Sequence, residues 1–161
     1  LRVTTTDAGT GQRVVLREGS LVQALRASIA LPFMFAPVHI DGRRLIDGFV
    51  ADPLPVSAAA DAHSVIALGF ESPMPQRIDG PSRMLAQVTS ALTNNLMQAR
   101  LAEANTCGTR LLSIVPKLER RVGLFDTQAM PYLVDTGRRA TEALLPAIRA
   151  LLNRAPHLAV A

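Results

Sequence analysis

Four prolines constrain what the middle of this chain can become. Pro32 and Pro37 lie within the apolar run Ala27-Ser28-Ile29-Ala30-Leu31-Pro32-Phe33-Met34-Phe35-Ala36-Pro37-Val38, and Pro53 and Pro55 close Asp52-Pro53-Leu54-Pro55-Val56. Proline lacks an N–H and fixes φ, so a helix running into this region ends at Pro32. Beyond it, Val38 to Ile40 and Arg44 to Ile46 flank Asp41-Gly42, a hairpin pattern. The second of these strands runs into Asp47-Gly48. A carboxylate at a strand end, followed by a glycine that permits a sharp turn, presents an acid at the rim of a sheet. The same pair also serves as a plain turn.

The rest of the chain alternates strand and helix patterns. Arg2 to Thr6 and Arg13 to Arg17 read as two strands around the turn Asp7-Ala8-Gly9-Thr10-Gly11, a hairpin. Ser20 suits the N-cap of a helix from Leu21 to Ala30. A short Ala-rich helix is expected from Pro55 to Ala62. Ser64 to Phe70 is apolar without alternation, the pattern of a strand buried on both faces. Glu71 to Pro81 reads as an exposed loop. From Ser82 to Asn105, Leu85, Val88, Leu92, Leu96 and Ala99 step by three and four, an amphipathic helix with Gln87, Asn94, Asn95, Gln98 and Arg100 on its solvated face. Arg110 to Val115 is a further buried strand, and Pro116 to Gly123 a charged surface loop. Asp126 is expected to cap the final helical region. There Leu133, Gly137, Thr141, Leu144, Leu145, Ile148 and Leu152 make one face, and Pro146 kinks the helix. This order argues for an α/β layered fold.

The order of motifs is more specific than any one of them. Ala24-Leu25-Arg26-Ala27-Ser28, Leu31-Pro32, Phe35-Ala36-Pro37-Val38, a strand into Asp47-Gly48, and Asp52-Pro53-Leu54-Pro55-Val56 together resemble the second half of the patatin-like phospholipase family. The likeness is good over about residues 1–70 and weaker in the last helix. It implies a three-layer α/β fold with a mostly parallel central sheet between helices, of which residues 1–154 are the C-terminal portion and 155–161 a tail. It also implies a Ser-Asp dyad acting on lipid acyl esters, with Asp47 as the base and Gly48 and Phe49 completing the motif. A serine hydroxyl needs such a base within hydrogen-bond reach, and desolvation raises a carboxylate's pKa towards that task. Pro32, Phe33, Met34, Phe35 and Phe49 are the expected apolar surround. Phe49 stands where the family pattern has Gly or Ala, and Asp52 where Asn is usual.

The nucleophile is not in this sequence. There is no G-x-S-x-G and no Gly-rich loop. Ser28 reads as a small packing residue, Ser57 as a helix start, and Ser64, Ser72, Ser82, Ser90 and Ser113 lack the elbow context. The expected partners are therefore an acyl-ester lipid and the N-terminal half of the same protein. His39, in the strand leading towards Asp47, leaves a Ser-His-Asp triad open, whereas the resemblance implies a dyad without histidine.

Composition excludes several classes. The 161 residues suit one domain, and 48% are apolar, but no apolar run approaches the ~20 residues of a membrane span. The formal charge is +4, with Lys117 the single lysine, yet the arginines are scattered and aromatics make up 4%. No basic stripe with stacking rings is present, so no nucleic acid is expected. Attraction to anionic lipid, giving peripheral membrane contact of a cytoplasmic protein, fits the charge. Cys107 is alone and reads as a small buried residue. His39, His63 and His157 lack ligand spacing, so neither metal nor cofactor is expected. Two functional readings result: a serine acyl hydrolase of which this is the aspartate half, or a degenerate module that binds lipid or protein. An unrelated α/β domain sharing a turn is the third.

Overall fold

The computed structural model describes residues 1–74, 79–106, 108, 110–120, 122–123 and 125–153. The readings for Cys107, His157 and the tail fall outside these residues. β1 (Val3–Asp7), rich in β-branched threonine, pairs antiparallel with β2 (Arg13–Leu16) across the 7–12 turn. α1 (Leu21–Ser28) starts where the Ser20 hydroxyl accepts from the Gln23 N–H, the expected cap. β3 (Val38–Ile40) and β4 (Arg43–Asp47) form the second hairpin, with Val38 opposite Leu45 and Ile40 opposite Arg43. β4 also pairs antiparallel with β1, giving a four-stranded sheet in the order β2-β1-β4-β3.

The expected mostly parallel sheet is not what these residues make. The four-stranded sheet is antiparallel throughout: two short hairpin turns return the chain alongside itself in β1–β2 and β3–β4, and β4 also pairs antiparallel with β1. A separate pair, β5 (Val65–Leu68) and β6 (Leu111–Ile114), is parallel, and the crossover between them carries α2 (Pro81–Thr106). The molecule is thus a mixed α/β structure with one parallel pair among the described residues.

Four further expectations are corrected. β5 is covered on one face only: Val65 and Ala67 are buried, whereas Ile66 and Leu68 are 43% and 58% exposed. Its apolar sequence suits cover on both faces, but the described residues pack against just one. The buried face of α2 carries Met97, Leu101 and Ala104, which join Leu54, Val56, Val65 and Ala67 in the main core. The stripe Leu85, Val88 and Leu92 faces outward instead. On the same helix, Asn94 is no solvated residue: its amide accepts from the Ser72 N–H at 2.9 Å and donates to the Ser72 carbonyl at 2.8 Å. The Pro55–Ala62 helix is shorter than expected, a 3-10 turn over Val56–Ala59.

The C-terminal region follows the pattern more closely. A 3-10 turn at Thr127–Ala129 leads into α3 (Met130–Ala143); Asp126 stands before it but makes no side-chain cap bond, contrary to expectation. The helix breaks at Leu144, and α4 (Leu145–Asn153) resumes with Pro146 in its first turn, where a missing N–H is tolerated. Leu133, Gly137 and Thr141 on α3 meet Leu68 and Phe70 around an open apolar groove of about 500 Å³. No described helix is long and apolar enough to cross a membrane.

The register of α2 is open to test. Met97→Ala is expected to destabilise the chain by about 2–5 kcal/mol, as for a well-packed core position. Leu92→Ala should change stability by less than about 0.5 kcal/mol. Urea unfolding of both variants compares the two faces directly; equal losses would mean that α2 is rotated from the orientation described.

Candidate functional site

The site is built around the crossing of β1 and the end of β4. Asp47 is the last residue of β4 and lies opposite Thr5. Its backbone N–H donates to the Ala30 carbonyl at 3.0 Å, which joins the strand end to the chain leaving α1. Its carbonyl accepts from the Thr6 hydroxyl at 2.8 Å, and the same hydroxyl accepts from the Ala51 N–H at 3.1 Å. Thr6 is fully buried, so one side chain holds both ends of the turn that follows Asp47. That turn is a 3-10 segment, Gly48–Val50, closed by the Asp52 N–H donating to the Gly48 carbonyl at 2.9 Å.

Gly48 is required there by space. A Cβ at this position would lie 2.3 Å from the Thr4 carbonyl oxygen and 2.8 Å from its carbon. Both are backbone atoms, which cannot step aside as a side chain can. The Thr4 oxygen is itself fixed, accepting from the Ser28 hydroxyl at 2.8 Å. Ser28 is therefore more than the small packing residue expected; it ties α1 to β1 directly beneath the turn.

The Asp47 side chain turns back over this segment. Oδ1 accepts from the Phe49 N–H at 2.8 Å. Burial pushes the carboxyl above the ordinary aspartate range, and the Phe49 N–H pulls the other way with the smaller effect. The phenylalanines and the methionine expected to form an apolar surround are exposed. Phe33 is 103% exposed with φ of 71°, and Met34, Phe35 and Phe49 are also exposed.

The other candidates separate from Asp47. His39 lies opposite Arg44, and alternation along β4 puts Arg44 on the face opposite Asp47. No triad forms between His39 and Asp47. His63 lies 2.9 Å from an Arg110 guanidinium nitrogen, away from the turn. Asp52, expected to add a charge near Asp47, is instead buried and held by Arg13 at 2.6 Å, with Arg100 Nε 3.9 Å from its other oxygen. Neither of the two causes acting on Asp47 is Asp52. Among the described residues no group of three His, Cys, Asp or Glu side chains could hold a metal ion. A cleft of about 720 Å³ lies between β2, the start of α1 and the β3–β4 turn, and Asp47 is not part of its wall.

Sequence reasoning missed Thr6, Ser28 and the two arginines around Asp52. Thr6 and Ser28 carry an ordinary strand and helix pattern, and only the fold reveals that their hydroxyls converge beneath one turn. For Asp52 the signal was present in its departure from the usual Asn.

Comparison with known proteins adds the following. Residues 2–60 match the model of the patatin-like phospholipase family. An uncharacterized NTE family protein of Mycobacterium tuberculosis is 41% identical over 63 residues, 39% of this chain and 18% of that protein. A second from the same organism is 27% identical over 163 aligned positions, 88% of this chain and 28% of its own length. Proteins of Mycobacterium bovis match at the same levels. The chain therefore spans less than a third of the length of these relatives.

The titration of Asp47 has a stability consequence. A carboxyl whose native pKa is raised binds its proton more readily folded than unfolded. Stability then falls as pH rises from the ordinary aspartate value through the raised one. Asp47→Asn keeps an oxygen acceptor for the Phe49 N–H and removes the charge. Its melting temperature should therefore be at or above that of the parent chain at pH 7, and the difference should shrink at pH 3–4, roughly the ordinary aspartate range. Thermal melts at the two pH values check this; a variant less stable at pH 7 would contradict it.

Proposed function

We propose, from the match of residues 2–60 to the patatin-like phospholipase family, that the chain supplies the acid half of a serine acyl hydrolase acting on lipid esters. That match suggests lipid acyl hydrolysis at a coarse level. The finer reading rests on one observation: a half-buried carboxylate with a raised pKa stands at a strand end, locked by a turn whose second residue has no room for a Cβ.

In this reading Asp47 is the base. It accepts the proton of a serine hydroxyl carried by polypeptide outside these 161 residues, and the serine oxygen attacks the ester carbonyl. The alcohol leaves, an acyl-enzyme remains, and water releases the fatty acid. A carboxylate with a raised pKa is closer to the working pH and so a better proton acceptor than an ordinary one. The bare apolar faces support a covering partner. Leu21, Val22 and Leu25 on α1, Ile29 just after it, and Ile66 and Leu68 on β5 are exposed large apolar residues. The polypeptide bearing the nucleophile is the occupant this account assigns to them. Peripheral contact with a lipid surface and a cytoplasmic setting belong to the same proposal.

The alternative is a degenerate binding module. Phe49, in place of a small residue, is the observation that favours it. Asp52 no longer does, since its charge is compensated by arginine.

Asp47→Asn in the protein that carries the serine separates the two readings. Turnover of a short-chain p-nitrophenyl ester should fall by roughly 10²–10⁴-fold, the usual contribution of a general base. Unchanged turnover would end the dyad assignment.

A further inference from the structure

We propose that Asp52, clamped between Arg13 of β2 and Arg100 of α2, is a positioning residue that sets where the Asp47–Phe49 turn stands on the sheet. This rests on the reading of Asp47 as the acid of the site and adds to it the device that holds the acid in place.

The geometry is as follows. The Asp52 side chain has no exposed surface. Its Oδ2 accepts from Arg13 Nη1 at 2.6 Å, and Arg13 also donates to the Ser57 hydroxyl. Its Oδ1 faces Arg100 Nε at 3.9 Å, an ion-pair distance, and both of these atoms are buried with no hydrogen-bond partner. Arg100 Nη1 in turn bonds Glu103 at 3.0 Å on the same helix. A buried carboxylate is tolerated only where cations face it, so the Asp52 backbone can sit only where both guanidinium groups reach it.

That backbone is part of the site. The Asp52 N–H donates to the Gly48 carbonyl, and the Ala51 N–H before it donates to Thr6. The turn is thus bounded at one end by Asp47 on β4 and at the other by Asp52. Met97, Leu101 and Ala104 carry the packing of α2, and Arg100 on the same helix faces both Asp52 and Glu103. The Asp52–Arg100 pair links a helix distant in sequence to the loop that carries the acid. An Asn at position 52 makes no charged anchor, so the paired arginines are the feature that goes with the aspartate in this chain.

The test is a ¹³C NMR pH titration of the Asp47 carboxyl in the full chain, for the parent, Asp52→Asn and Arg100→Gln. Charge alone predicts opposite effects. Loss of the Asp52 anion lowers the Asp47 midpoint, and loss of the Arg100 cation raises it. Loss of position predicts the same effect from both, because a loosened turn lets water reach Asp47 and removes the burial that raises it. The expected result is a downward shift in both variants of about half a pH unit or more. Shifts of opposite sign, or none, overturn the proposal. Should a variant fail to fold, Arg100→Lys keeps the charge and removes Nε. A downward shift there supports the proposal, and an unmoved midpoint overturns it. The readout follows the position of Asp47 whether or not it acts as a base, so it is separate from the turnover of Asp47→Asn.

Discussion

The approach of Gly48 to the backbone of Thr4 governs the arrangement around Asp47. With Cβ excluded, the chain leaving β4 can pass against β1 and fold back over the sheet at once. A larger residue would have to lift the turn off β1, and three contacts would leave with it. The Thr6 hydroxyl would lose the Asp47 carbonyl and the Ala51 N–H, and Asp47 would lose the half-buried position that raises its pKa. Buried polar groups left without partners are costly, about 1–3 kcal/mol each, so the turn is held as one unit.

From this contact outward the structure is a sequence of ties between elements distant in the chain. Ser28 fixes α1 to the Thr4 carbonyl, Ala30 fixes the end of α1 to the Asp47 N–H, and Asp52 fixes the far end of the turn to β2 and α2. The antiparallel sheet presents the acid, and the parallel pair β5–β6 with α2 supplies the main core beside it. The exposed apolar faces of α1 and β5 border this unit without entering its core.

Much of the fold was legible in the sequence, and the reason varies by element. The two hairpins, the Ser20 cap and the break near Pro146 come from local chemistry: turn residues, a capping hydroxyl and a missing N–H. What the sequence could not disclose is which of two apolar stripes on α2 is used. Both stripes step by three and four, and it is Met97, Leu101 and Ala104 that join Leu54 and Val65 in the core. The mostly parallel sheet was implied by the family resemblance, and the described residues hold one parallel pair, β5–β6, of which they cover one face. Within the site, the position of Asp47 and the need for Gly48 were readable from the strand-end pattern. The hydroxyls of Thr6 and Ser28 and the guanidinium groups on Asp52 were not, since each reaches its partner from another element.

The central claim is that Asp47 serves a serine carried by other polypeptide. The most direct measurement is the intact mass of the natural protein, purified and treated with a fluorophosphonate that reacts only with activated serines. The account predicts one adduct on a species heavier than 17.2 kDa, on a serine outside the present sequence. An adduct on one of the serines of this chain would contradict that claim. So would a heavier protein that takes no label while remaining folded.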